Sequence, residues 1–385
     1  MTEVVIAGIG QTEVGEHWGR SLRDLAYDAI EQAHLDSPGL QPQALFAGNM
    51  LAPQLSGQAH VGALLADYAH LNGIEAVTVE ASGASGGVGL RAAYLAVASG
   101  MVDVALVVGV EKITDTIGNK VEAAQATAED GDYEAIHGLT PTAQSALLMR
   151  RYIHEFDVPR ESFAGFALNA HANGAGNPNA MFRKAISLDT YKKAGIICDP
   201  INMFDVAPSA DGAAALILTR SELLPRSFPN PLVRIAGSSV ATDPLALHDR
   251  PNPLVLTASR LSIERACEKA KITPLQVDFF ELFDVTSIFA VLSLEAAGFA
   301  ATGEGWKLAK ADCISIQGSL PVSTMGGLKA RGNPGGATGV YQAVEAVIQL
   351  RGLAGKNQVP EARRGMIQSL GGPASTAATH ILELM

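Results

Sequence analysis

Val4 to Ile9 is a short apolar run with β-branched residues, closed by Gly10, which predicts a buried strand. Leu22, Leu25, Ala26, Ala29, Ile30 and Ala33 then recur at helical spacing and predict an amphipathic helix. Val77 to Glu80 predicts another strand. It runs through Gly83, Ser85, Gly86 and Gly87 into an alanine-rich helix ending near Ser99. Val102 to Val110 is almost unbroken in its hydrophobicity, the pattern of a strand covered by helices on both faces.

The second half replays this order. Val233 to Val240 predicts a strand, and Leu261, Ile263, Ala266, Cys267 and Ala270 predict a helix. Val277 to Leu282 predicts a further strand. A glycine-rich stretch from Gly332 to Gly339 leads into a helix marked by Val340, Ala343, Val344, Val347 and Ile348. Gly365 to Leu370 and Ala377 to Leu384 are expected to close the chain as strands. Two such runs imply an α/β fold built by duplication, with halves at 1–230 and 231–385. Pro225, Pro229 and Pro231 mark the boundary. Residues from about 115 to 200 are more polar and carry helical pieces at Ala146 to Phe156 and Glu161 to Ala170. They read as an insertion over one end of the first half, where ligand contacts gather.

Composition narrows the partners. Hydrophobic residues make up 48 % of the 385 and charged residues 17 %, so a large core is expected. A net charge of −11 argues against nucleic acid or an anionic membrane as the main partner. No run approaches the about 18 apolar residues of a membrane span. Cys198, Cys267 and Cys313 are far apart, and the start at Met1-Thr2-Glu3-Val4 has no basic, apolar leader. Both features suggest a reduced, cytoplasmic setting. The nine histidines form no ligand pattern with cysteine, so no metal site is expected.

Four predicted strand ends carry glycines or polar residues: Glu80 to Gly87, Glu281-Leu282-Phe283-Asp284, Gly332 to Gly339, and Ser369 to Gly372. Ligands gather at strand carboxyl ends in open α/β sheets. A strand turning sharply into a helix at Gly83 exposes backbone N–H groups that can receive an oxyanion, although such turns also serve close helix–strand packing.

These segments resemble the thiolase superfamily, most closely its archaeal and sterol-carrier-type branch of acetyl-CoA acetyltransferases. The similarity extends to Val110 to Thr114, Asn202 to Asp205, Asp211 to Ala215, Met325 to Gly332 and Gln349 to Gly352, and so to nearly the whole chain. It implies two αβαβα-type halves in a five-layered arrangement with a loop domain, and a coenzyme A thioester as substrate or ligand, with no cofactor.

The same resemblance exposes departures. A thiolase takes its acyl group on a cysteine at the first turn, and the matching residue is Gly83. The family's two histidines match Phe283 and Asn333, leaving Asp284 from the first motif. An ordinary thiolase cycle is therefore not expected. Ser82, Gly83, Asp284, Asn333 and Gly372 remain as pocket or oxyanion candidates. Ser82 and Ser85 read as helix caps before nucleophiles. His137 and His171, in the insertion, are ligand-binding candidates, or ties within it. Tyr341 is a minor candidate for proton transfer. Arg150-Arg151, Arg183-Lys184 and Lys192-Lys193 offer cations for coenzyme A phosphates or serve as solvated faces.

Two readings stand open. In one, the altered pocket performs non-covalent carbon–carbon bond chemistry on an acyl-CoA. In the other, the chain is a non-catalytic scaffold for a small OB-fold, zinc-ribbon (DUF35-like) partner. The family also implies a homodimer or tetramer.

Overall fold

A computed structural model describes residues 3–310 and 312–385. Met1 and Thr2, which begin the stretch read as lacking a leader, lie outside the described residues. The first half contains β1 (Val4–Gln11), α1 (Leu22–Asp36), β2 (Ala44–Gly48), α2 (Val61–Tyr68), β3 (Glu75–Val79), α3 (Ser85–Ala98) and β4 (Val104–Glu111). An insertion follows, with α4 (Asn119–Gln125), α5 (Pro141–Phe156), α6 (Ala164–Gly174), α7 (Leu188–Lys193) and a small hairpin of β5 (Ile196–Cys198) and β6 (Ile201–Asn202). β7 (Gly212–Arg220) returns to the sheet. The second half holds β8 (Val233–Thr242), α8 (Thr257–Ala270), β9 (Phe279–Glu281), α9 (Ser287–Ala296), α10 (Trp306–Lys310), α11 (Thr338–Leu350), β10 (Arg364–Gly371) and β11 (Thr376–Leu384).

The strands run in the order β3-β2-β4-β7-β1-β8-β11-β10-β9. Within the sheet, among the described residues, β1 and β8 join the halves through two residue pairs, Val5 with Arg234 and Ile6 with Val233. Phe280 forms a single parallel bridge to Val322 beyond β9. With that bridge standing in for an edge strand, the second half has the same spatial order as the first: bridge-β9-β10-β11-β8 against β3-β2-β4-β7-β1. The duplication seen in the sequence pattern is thus a duplication of topology.

Alternation explains the layers. Leu106, Val108 and Val110 of β4 face one hydrophobic cluster with α1 and α2. Ala105 and Val107 face another with α3 and α11. β7 divides in the same way, with Ala213, Ala215 and Ile217 outward and Ala214, Leu216 and Leu218 inward. Both faces are buried, so the strands carry no polar alternation. α8 and α9 cover the far side of the second half. The result is an αβαβα stack with α3 and α11 as the central layer. Their first turns meet backbone to backbone: a Cβ on Gly339 would lie 2.3 Å from the Gly87 nitrogen.

Two expectations are corrected. The strand expected over Val277 to Leu282 shrinks to Phe279–Glu281, the three residues that pair in register with Gly365 to Ile367 of β10. Neither serine caps α3. Ser85 Oγ instead accepts from the Ala81 N–H at 2.9 Å and donates to the Ser82 carbonyl at 2.6 Å, closing the turn itself. Among the described residues no helix is long and apolar enough to cross a membrane.

Candidate functional site

The N-terminal turn of α3 and the carboxyl ends of β2, β9 and β10 surround a cavity of about 430 Å³. Its floor holds Met50, Leu51, Ser82, Gly83, Phe283, Asn333, Leu370 and Gly372. The insertion forms the opposite wall through Val121, Gln125, Glu129, Gln144, Ser145 and Ile197.

The floor is stapled by one carboxylate. Glu111, fully buried at the end of β4, accepts from Asn49 Nδ2 at 2.8 Å, the Met50 N–H at 2.9 Å, the Leu51 N–H at 3.0 Å and the Gly336 N–H at 2.9 Å. Burial pushes its carboxyl up to about 7 against the pull of those donors. The strand-end motif thus fixes the turn after β2 and the second glycine-rich turn from behind.

At the turn itself Ser82 sits at φ 52°, a left-handed conformation that costs a serine energy and aims the next residue into the cavity. Gly83 has no room for a side chain. A Cβ there would lie 2.6 Å from the Leu370 carbonyl oxygen and 2.6 Å from Cζ of Phe283. The Phe283 ring, 5 % exposed, therefore occupies the space in front of residue 83. Asn333 lines the same cavity. Its Oδ1 accepts from the Thr338 hydroxyl at 3.2 Å, leaving the amide N–H₂ as the donor for a ligand. Gly372 is pressed against the Ala128 carbonyl, 2.8 Å from where its Cβ would be, which brings the insertion wall onto the end of β10.

The other candidates are placed elsewhere. Asp284 is buried beneath the cavity, where it accepts from the Leu328 N–H at 2.7 Å, and burial raises its carboxyl above the usual range. His137 is exposed on a short helical turn and His171 is buried in α6, stacked on Phe182 and edge-on to Phe204; neither lines the cavity. Burial lowers the His171 imidazole. Tyr341 is fully buried against Thr12, away from the cavity. Among the described residues no cysteine, histidine, lysine or tyrosine lines it. Cys267 lies in the α8 core, its thiol pushed up to about 11 by burial. No group of three or more His, Cys, Asp and Glu among the described residues is placed to hold a metal.

Two lining residues escape sequence reasoning. Glu129 is 4 % exposed and Gln144 is 1 % exposed. Glu129 Oε2 and Gln144 Nε2 are both buried and close no hydrogen bond of normal length among the described residues. In the sequence Glu129-Asp130-Gly131-Asp132 looks like a solvated turn, and no local signal separates it from one.

Family models for the thiolase N-terminal domain and a thiolase C-terminal domain-like unit match residues 4–222 and 239–384. The chain belongs to the thiolase family. An acetyl-CoA acetyltransferase of Methanothermobacter thermautotrophicus is 39 % identical over 385 residues, 99 % of each chain. Sterol carrier protein 2 of Bos taurus is 27 % identical over 96 % of this chain and 70 % of its own. These are the two kinds of thiolase that the motifs resemble. A solved structure described as an Ltp2-ChsH2(DUF35) aldolase superposes with a TM-score of 0.84 at 24 % identity, covering 99 % of this chain and 98 % of that one, and so shares the thiolase fold.

Proposed function

We propose that this thiolase-family protein binds an acyl-CoA in the cavity at Gly83 and performs carbon–carbon bond chemistry on it without a covalent acyl-enzyme. The observation that carries the reading is the contact between Gly83 and Phe283. By family resemblance Gly83 stands at the cysteine position and Phe283 and Asn333 at the histidine positions. The aromatic ring fills the volume a cysteine would need, so the substitutions form one rebuilt pocket. What remains suits enolate stabilisation. The amides of Gly83 and Gly372 and the Asn333 side chain are donors around a partly apolar cavity, where hydrogen bonds to developing charge are strong. A thioester enolate is the leaving fragment of retro-aldol cleavage.

Calorimetric titration with acetyl-CoA and a longer acyl-CoA tests retention of the pocket. Coenzyme A release from acetoacetyl-CoA tests the ordinary cycle. The reading expects binding in the first and no release in the second. Release that survives changing Cys198, Cys267 and Cys313 each to alanine would require a different nucleophile and end it.

A scaffold role is the second reading, favoured by the fold's likeness to a chain described together with a DUF35 component. Binding of such a small partner without binding of any acyl-CoA would select it. The cellular setting proposed for either is cytoplasmic. Self-association through β3 is also part of the proposal. Among the described residues that strand pairs on one side only, with β2, and it exposes Val77 at 47 %. Val77→Lys is expected to shift the mass measured by light scattering towards the monomer.

A further inference from the structure

The acyl-CoA reading leaves the proton unaccounted for, since among the described residues no cysteine, histidine, lysine or tyrosine lines the cavity. We propose that Glu129 is the acid–base residue of this cavity, exchanging a proton with the α-carbon of the bound thioester. The inference rests on the acyl-CoA reading and goes beyond it by naming the group that moves the proton.

Three observations converge on Glu129. It lines the cavity, yet its side chain is almost completely buried. Its Oε2 and the Gln144 Nε2 in the same wall close no hydrogen bond of normal length among the described residues, although the Gln144 amide acts on the carboxyl as a donor. A carboxyl and an amide held together in a cavity wall without closing a normal hydrogen bond both keep capacity for a polar ligand. Finally, the preceding residue packs its carbonyl against Gly372, which ties Glu129 to the floor where the enolate oxygen would be held.

The surroundings tune it for the task. Burial, and after it the neighbouring Glu134 carboxylate, raise its carboxyl against the Gln144 amide and Arg250, and leave it at about 8. Glu134 is itself fixed by the Leu247 N–H at 2.9 Å and the Asp130 N–H at 3.2 Å. Arg250 bonds the Pro244 and Pro373 carbonyls and also faces Asp243. Glu122, on the exposed lip of the same cavity, is the remaining charge. A carboxyl poised near neutrality serves equally as acid and base.

In the cleavage direction a 3-hydroxyacyl-CoA gives its hydroxyl proton to the Glu129 carboxylate. The carbon–oxygen bond becomes a carbonyl as the bond between the α- and β-carbons breaks. The electron pair passes to the α-carbon as the thioester enolate, and Glu129 returns the proton there. Atoms and electrons balance without an oxidant or co-reactant. By reversal, the carboxylate removes an α-proton from a bound acyl-CoA.

The test is deuterium uptake at the α-carbon of acetyl-CoA in D₂O, followed by NMR with the full-length protein, alongside calorimetric titration of the same compound. Wild type is expected to exchange the label, with a rate that rises with pH about a midpoint near 8. Glu129→Gln is expected to bind acetyl-CoA within about threefold of wild type and to lose exchange by about a hundredfold or more. Glu129→Asp is expected to keep part of the rate. Glu134→Gln is expected to move the midpoint down, since it removes a negative neighbour, which a purely structural role for Glu129 would not produce. Binding by wild type without exchange, or undiminished exchange in Glu129→Gln, overturns the role of Glu129 and leaves the acyl-CoA reading standing. Absence of acetyl-CoA binding by wild type overturns both.

Discussion

A single missing side chain governs the floor of the cavity. Installing Cβ at Gly83 sets it against a carbonyl oxygen and an aromatic carbon, both at 2.6 Å. Overpacking of this kind costs about 1–3 kcal/mol. Gly83→Ala is therefore expected to lower stability by that amount in chemical denaturation. Part of the cost comes from the ring, so it should shrink in a Phe283→Leu background, while the part due to the Leu370 carbonyl persists. A double-mutant cycle reads this coupling. Simple additivity of the two changes would mean that ring and turn are independent. Gly83→Cys is expected to show the same penalty and to restore no coenzyme A release from acetoacetyl-CoA, because Phe283 fills the space in front of the sulfur and, among the described residues, no imidazole lines the cavity.

Elements differ in how plainly their sequences announce them. β4 and α3 are legible because a doubly covered strand and an alanine-rich helix each leave a continuous pattern. α9 is not, since eight of its residues in a row from Ser287 to Leu294 are buried and no polar face interrupts them. β2 hides for its brevity, five residues with a glycine at the end. At the site, Gly83, Ser82, Asn333 and Gly372 are legible as strand-end motifs. Glu129 is not, because its burial arises from packing against residues far away in the chain. The same holds for the role of Glu111, which binds backbone amides about 60 and 225 positions away, at |i−j| of 61, 60 and 225. Glu111→Ala would strand four donors inside the protein. It is expected to destabilise by about 3 kcal/mol or more in chemical denaturation. Glu111→Gln is expected to recover only part, since each oxygen accepts two bonds and an amide nitrogen accepts none. A change below about 1 kcal/mol in the alanine variant would mean that the turns hold themselves.

Across the whole molecule, burial of acids gives stability a particular dependence on pH. Burial raises the carboxyls of Glu111 to about 7 and Glu129 to about 8, and raises Glu281 and Glu345 as well. A carboxyl raised on folding contributes stability that is complete below the unfolded value and is lost as pH climbs through the folded one. Histidines act oppositely but at lower pH: burial drops His380 to about 4, so its contribution rises with pH only up to the unfolded value near 6.5. Lys329, pushed down to about 8 by burial, adds a rising contribution only as pH approaches and passes that value. Between about pH 6.5 and 7.5 the raised acids therefore dominate, and the folded chain holds more protons than the unfolded one. The thermal midpoint is expected to fall across that interval and to level off above about pH 8. Glu129→Gln removes one of the titrating groups and should make the fall shallower, whatever its effect on proton exchange. A midpoint that rises from pH 6.5 to 7.5 would show that these carboxyls are ionised in the folded state at neutral pH. Glu129 would then have lost the protonated form in which it could return a proton to an enolate.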